Sequence, residues 1–209
     1  MMNLQKGEIR VIDGILGSNM QDAVEGFLFD EIFPWRFKED LTSAIDEGKK
    51  QGKTAGFNHE FFNCETKINS TWFFLVFPIL TNALDQIGIK NRPEKLLQAR
   101  TFKQEPVKNR NEYDVLHVDD MKIRPLVSIL YYVNDSDGDT FFFDQTTKEY
   151  PDPAKVIAMS HDQHQKEFSI AQRVSPKKGQ CVIFDGSRYH ASSSPQKNHR
   201  CVINFSYFL

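Results

Sequence analysis

From about residue 93 onward the sequence becomes a succession of short β-prone runs separated by Pro, Gly, Asn and Asp, and this texture is what most restricts the fold. The runs read as strands at 96–103, 115–119, 126–133, 140–144, 168–174, 180–185 and 200–208. Between two of them, Asn134-Asp-Ser-Asp-Gly-Asp139 is a strong turn signal. Because no helices alternate with these strands, a parallel βαβ sheet is disfavoured and a sandwich, barrel or jelly roll is expected.

Residues 1–92 have another character. An edge strand is expected at 8–12, followed by a helix capped by Ser18 with Met20, Ala23, Val24 and Phe27 on one face. A second helix is expected at 40–50, acidic at its start and basic at its end as the macrodipole favours, with a loop at 51–54. Trp72, Leu75, Val76, Ile79, Leu80 and Leu84 recur at helical spacing, which predicts one long helix over 66–87, kinked at Pro78. The expectation is therefore an α+β, mainly β chain folded as one domain over 1–209. Its 1–92 portion supports a sheet core at 93–209. Eighteen Phe point to an aromatic-rich β core or pocket lining.

The charge balance, 26 Lys plus Arg against 28 Asp plus Glu, gives a net charge of -2 and no global field for nucleic acid or an anionic membrane. Cys64, Cys181 and Cys201 are too scattered for a disulfide framework or a zinc ribbon, which favours a reducing compartment and core filling. No signal-peptide pattern opens the sequence, so the expected location is cytoplasmic. The most apolar run, 72–80, is about half the roughly 20 residues a bilayer span needs, and Pro78 interrupts it. No membrane partner is expected, and oligomeric state is left open.

His117-Val118-Asp119 sets two metal-capable side chains at i and i+2, on one face of a strand if the strand persists. Alone, such a pair is equally a surface or turn-capping feature. Further along, an apolar strand runs into a Gly-containing bend that delivers His190 just past its end. Two His and one carboxylate leave positions open on an octahedral ion, the arrangement of non-haem Fe(II) oxygenases, whereas a structural zinc closes its shell. Arg200 opens the last strand ten residues on, where its permanently charged fork can hold a carboxylate bidentately.

Taken together, His117-x-Asp119, Ser128-Ile-Leu-Tyr-Tyr-Val-Asn134, Gly138-Asp-Thr-Phe-Phe-Phe143, the run from Gly179 to Phe184, His190 and Arg200 resemble the Fe(II)/2-oxoglutarate-dependent dioxygenase superfamily. The match runs from about 96 to 208 and is closest to the prolyl-4-hydroxylase-like branch, of the type found in many proteins of marine phage and bacteria. The resemblance implies a double-stranded β-helix core, a cupin-like jelly roll, with N-terminal supporting helices. It carries iron binding onto His117, Asp119 and His190, and a grip on the distal carboxylate of 2-oxoglutarate onto Arg200. It makes Tyr132 a donor to that carboxylate, against the alternative of a core aromatic with a satisfied hydroxyl. Two departures touch the pocket wall: Asp139-Thr140 stands where relatives often have a second Gly and an acidic or apolar residue, and Val202 replaces the Ser of an Arg-x-Ser pattern.

The implied cofactors are Fe(II), 2-oxoglutarate as cosubstrate and O2, with ascorbate as reductant. The implied reaction is hydroxylation of an unactivated C–H bond, in a peptidyl proline, another protein side chain or a small molecule, with release of succinate and CO2. Two alternatives stand beside it: a non-catalytic cupin-like protein holding a metal or small acid, and a nucleic-acid demethylase on the same iron chemistry, which the net charge does not encourage.

Other residues carry two readings. His161-Asp-Gln-His164 is a metal pair if helical and otherwise a surface loop, and His199 should face away from Arg200. His59-Glu60 precedes Phe61-Phe62 and reads as a packing or loop site. Asp114, Asp120 and Asp185 are rival carboxylates for the metal, of which Asp120 is out of phase with His117. Phe141 and Phe143 share one strand face and either line the pocket or pack in the core; Arg124, Arg188 and Lys197 either rim the mouth or are scattered surface charge. The polar, Pro-containing segment 103–114 is a candidate lid.

Overall fold

Alternation of side chains along the strands sorts the chain into layers. The structure, a computed structural model, describes residues 7–41, 54–120 and 122–209. In chain order its elements are β1 (Ile9–Ile12), α1 (Ser18–Leu28), β2 (Arg36–Lys38), β3 (Gly56–Asn63), β4 (Lys67–Ile68), α2 (Phe73–Gln86), β5 (Leu96–Gln104), β6 (Leu126–Tyr132), β7 (Thr140–Thr146), α3 (Pro153–Ile157), α4 (His161–Glu167), β8 (Ile170–Val174), β9 (Cys181–Asp185), β10 (Arg188–Ser192) and β11 (Arg200–Phe208). The larger sheet has the order β1-β9-β6-β11-β5-β3-β2, with β4 added beside β3, and the smaller one has the order β10-β7-β8. Every pairing is antiparallel.

Central strand β6 is buried along its whole length because both its faces are covered. Val127, Ile129 and Tyr131, with Cys181, Ile183, Cys201, Ile203 and Phe205 from its neighbours, pack against α1 and α2 in the principal core. The residues between them, Leu130, Tyr132, Val182, Phe184 and Val202, turn the other way and meet Phe142 and Val174 of the smaller sheet. Two sheets facing across an apolar layer, with helices behind the larger one, form the expected jelly roll in a mainly β chain.

The same alternation places Phe141 and Phe143 on the outer face of the smaller sheet. There they join Tyr113, Leu116, Val118, Val156, Phe168 and Tyr189 in a satellite core. Their pocket-lining reading is thus corrected to packing: Phe142 is the residue of the three that faces inward, with its ring 4.9 Å from that of Phe184.

Several element boundaries differ from expectation. Gly17, not Ser18, is the N-cap of α1, since Met20 N and Gln21 N both donate to Gly17 O and no side chain caps the helix. The long helix expected at 66–87 begins only at Phe73; Lys67–Ile68 instead pairs with β3, entered through a positive φ of 65° at Lys67. Pro78 lies inside α2. The helix expected at 40–50 and the loop at 51–54 lie almost wholly outside the described residues. Two short helices interrupt the β half where none was expected. Asp152 caps α3 ahead of Pro153, and a reciprocal capping box of Ser160 and Gln163 starts α4.

Candidate metal centre

His190 reaches the interior because β9 and β10 belong to different sheets and are joined by a tight turn. At Gly186 in that turn an added Cβ would lie 2.0 Å from Leu126 Cδ1, so any side chain there would force buried Leu126 to move. His190 was expected just past a strand end; it lies within β10, a strand the sequence reading missed. The strand expected at 115–119 shrinks to one bridge, in which His117 N donates to His190 O and His190 N to His117 O, each at 3.0 Å. Just beyond it, the Asp120 carboxylate accepts from Lys122 N and Arg124 N and turns the chain away.

This bridge sets the two imidazoles side by side, with ring centroids 4.5 Å apart. Asp119 joins them from two residues along, and one ligand atom from each of His117, Asp119 and His190 falls within 4.8 Å of the others. Both rings are oriented by their own backbone: His117 Nδ1 lies 3.0 Å from Val115 O and His190 Nδ1 lies 3.1 Å from Arg188 O. A carbonyl accepts only, so each Nδ1 carries the proton and each Nε2 presents a lone pair, the tautomer a metal requires. His190 Nε2 is 3.8 Å from Asp119 Oδ1, near enough to share an ion and too far for a hydrogen bond. Burial, reinforced by His190, lowers the His117 pKa to about 4, so this ring is neutral near pH 7. Burial alone would push Asp119 up, but His190, His117, the Ser128 hydroxyl and Arg100 together hold it below its ordinary value. Ser128 Oγ and Asn204 Nδ2 both donate to its carboxylate.

The rival carboxylates are committed elsewhere. Asp120 pairs with Arg124 at 2.7 Å, Asp114 accepts from Ser192 and Ser194, and Asp185 accepts from Ser187 N. Three of the other histidines are likewise structural. His164 is buried with Nε2 2.7 Å from Val156 O, His199 pairs with Glu105 at 2.7 Å, and His59 sits 3.2 Å from Pro34 O among aromatic rings. His161, helical after all, packs its ring 4.7 Å from that of Tyr113.

The triad opens into a cavity of about 240 Å³ whose wall includes Arg100, Phe102, Gln104, Thr140, Arg200, Val202 and Asn204. A larger groove of about 490 Å³ adjoins it across Thr54 and Ile157, with Glu105, Asn109, Arg110 and Asn111 along one side. Segment 103–114 therefore borders the approach to the cavity, tied down by Val107 N to Pro195 O and by Arg110 to Ser193 Oγ and Asp137 O.

Arg200 is buried in the cavity wall, and each of its three nitrogens donates once: Nε to Gly138 O at 2.9 Å, Nη1 to Gln104 Oε1 at 3.2 Å and Nη2 to Thr140 Oγ1 at 3.0 Å. A guanidinium has five N–H groups, so one remains on each Nη, enough to meet both oxygens of a carboxylate. No carboxylate among the described residues lies within 4.0 Å of it.

Tyr132 does not reach the cavity. Its hydroxyl, pushed up to about 12 by burial, donates to Thr140 Oγ1 at 2.8 Å. Thr140 thus accepts from both Tyr132 and Arg200, which leaves its own hydrogen for the cavity it lines. Arg124 and Arg188 are bound elsewhere, and neither they nor Lys197 lines the cavity. Of the four wall residues that sequence reading did not assign to the site, Arg100, Gln104, Thr140 and Asn204, three had a legible signal: Arg100, Gln104 and Asn204 are in phase with Arg200 along paired strands, whereas Thr140 comes from β7 of the other sheet.

No family model and no curated protein matches this sequence. Solved structures do. A non-haem α-ketoglutarate-dependent carbocyclase of nogalamycin biosynthesis superposes with a TM-score of 0.61 at 13% identity, over 97% of this chain and 79% of its own. A prolyl-4-hydroxylase from Pseudomonas putida gives 0.57 at 11% identity, over 97% and 94%. HygX from Streptomyces hygroscopicus, with nickel, 2-oxoglutarate and hygromycin B bound, gives 0.58 at 15% identity, over 97% and 82%. The fold is that of the Fe(II)/2-oxoglutarate oxygenases, prolyl hydroxylases included.

Proposed function

We propose that the protein is an Fe(II)- and 2-oxoglutarate-dependent dioxygenase that hydroxylates an unactivated C–H bond, with a protein side chain such as a peptidyl proline as the leading substrate. One observation carries the reading: a buried arginine with a free N–H on each Nη, and no carboxylate within 4.0 Å among the described residues, shares a small cavity with an inward-facing His-Asp-His cluster. A protein that merely held a metal would gain nothing from the buried charge, which costs several kcal/mol unless an anion meets it.

His117, Asp119 and His190 would hold the iron through two Nε2 atoms and a carboxylate, leaving sites open for ligands. When bound, iron with 2-oxoglutarate and dioxygen supplies the oxidising power for C–H cleavage and leaves succinate and CO2. The chain's own part is positioning. Arg200 and Thr140 take the distal carboxylate, while Val202, Leu130 and Phe184 keep the wall apolar and limit water. Ser128 and Asn204 fix the Asp119 carboxylate in one orientation.

Purified protein supplied with Fe(II), ascorbate, 2-oxoglutarate and air should form succinate above the protein-free background. Under anaerobic conditions it should show the iron-to-2-oxoglutarate charge-transfer band. Absence of both would leave the cupin-like binding protein as the reading. Gly138→Ala is a finer probe, since the new Cβ would lie 2.8 Å from Arg200 Cδ and 2.7 Å from Ser193 O. It should weaken 2-oxoglutarate on the order of tenfold, as expected for a displaced charge-assisted donor worth about 1.5 kcal/mol. Metal affinity measured with Co(II) should not change.

A further inference from the structure

We infer that the substrate carries an anionic group, a carboxylate in the first instance, and that Arg100 receives it beside the metal cluster; this rests on the function proposed above. Arg100 projects from β5 on the same face as Phe102 and Gln104 and lines the cavity that contains the triad. Its Nε is buried without a hydrogen-bond partner, and among the described residues its guanidinium makes no hydrogen bond or ion pair. It stacks on the Phe102 ring, 5.2 Å from Cζ to the centroid, and feels the Asp119 and Glu60 carboxylates through space without a hydrogen bond to either. Glu60, its neighbour in register on β3, is occupied by Asn63, Asn69 and Gln98. Arg100 as a whole is partly exposed where it lines the cavity, and its buried Nε–H, left without an acceptor, is a cost that a ligand's anion would relieve.

The strand register separates this arginine from the Arg200 clamp. Arg200 pairs with Gln104 and Asn204 pairs with Arg100, so the two arginines leave the sheet four residues apart, about 13 Å along the strands at roughly 3.3 Å per residue. Asn204 is the residue that holds Asp119, which puts the triad at the Arg100 end. A five-carbon diacid stretched from Arg200 toward the metal would end near the triad, and Arg100 stands at that end of the sheet, four residues along from the clamp. The anion it awaits therefore belongs to a second molecule, whose reactive carbon is set near the metal by this anchor.

Arg100→Met tests the assignment with readouts independent of turnover. In the metal-free protein the melting midpoint should hold or rise by about 2–4 °C, because a partly buried guanidinium with an unpartnered Nε–H is removed. A fall of several degrees would assign Arg100 a structural role and overturn the inference. With Zn(II) and 2-oxoglutarate loaded, two pools of acids are offered, free amino acids with other small carboxylic acids, and end-blocked peptides containing Asp or Glu. Each is compared with its amidated counterpart. One acid pool should raise the melting midpoint of the parent protein and stimulate succinate formation by the Fe(II) form at least tenfold, and which pool does so identifies the source. Its amidated counterpart should do neither, and Arg100→Met should respond to none while binding 2-oxoglutarate within about threefold of the parent.

Equal response to acids and amides, response to no pool, or loss of 2-oxoglutarate binding in Arg100→Met would each overturn the inference, the last by assigning Arg100 to the cosubstrate. A parent protein with no charge-transfer band would instead sink the proposed function itself.

Discussion

Asp119→Ala protein, given Fe(II), ascorbate, 2-oxoglutarate and air, is expected to form succinate only at background, a loss on the order of 10³-fold or more. Of the three clustered groups, Asp119 alone brings a full negative charge, and its removal leaves two imidazoles and no carboxylate. The cluster would lose both a ligand and the charge that offsets a divalent cation, several kcal/mol of interaction at about 1.4 kcal/mol per tenfold. The anaerobic charge-transfer band should vanish with the activity. The fold should survive, because Ser128 and Asn204, which both serve Asp119, are short polar side chains free to re-pair with each other or with water. Asp119→Asn sharpens the comparison by keeping the shape and losing the charge. Asp120→Asn is the control: Asp120 serves the Arg124 turn and not the cluster, so that variant should lose stability without losing turnover. Succinate formation by Asp119→Ala within tenfold of the parent would remove Asp119 from the metal site.

Much of this site is legible in the residues because its chemistry needs unusual types at fixed offsets. His117 and Asp119 remain two residues apart whatever the backbone does, and so come together even though the expected strand at 115–119 is reduced to a single bridge. β11 was legible because its nine residues carry unbroken alternation between two buried faces. What escaped had physical causes. β3 carries His59, Glu60 and Asn58 among its aromatics, and it becomes a strand only by tertiary pairing with β5. β10 lies just two residues beyond β9, so the sequence reads as one strand and a bend; only pairing with β7 in the other sheet shows the crossing. α4 lacks an apolar stripe, with His164 its one buried residue, and its signal lay in the Ser160-x-x-Gln163 capping box. Tyr132 shows the limit of a positional analogy. The residue is inward-facing as expected, but its hydroxyl is spent on Thr140, a side chain that first stood out only as a departure from the family pattern.

Arg200→Met should weaken 2-oxoglutarate by roughly 10² or more while leaving the metal site intact. The two unspent N–H groups of Arg200 are the charge-assisted donors assigned to the distal carboxylate, and bonds of that kind contribute about 1.5–3 kcal/mol each. Losing both predicts a shift of about 3 kcal/mol in binding, read as the 2-oxoglutarate concentration that half-develops the anaerobic charge-transfer band. Co(II) affinity, measured without 2-oxoglutarate, should stay within a few-fold of the parent, since no ligand atom has changed. Because the substitution also deprives Gly138 O, Gln104 Oε1 and Thr140 Oγ1 of a donor, Arg200→Lys is the necessary companion. It keeps the charge and loses the fork, so its affinity should fall between those of parent and Met variant. Thr140→Val then isolates the hydroxyl that Tyr132 and Arg200 both donate to. A further loss on the order of tenfold is expected there, while Tyr132→Phe, one step behind the wall, should cost less. Parent-like affinity in Arg200→Met would break the pairing of clamp and metal cluster, and with it the case that this cavity takes a dicarboxylate at all.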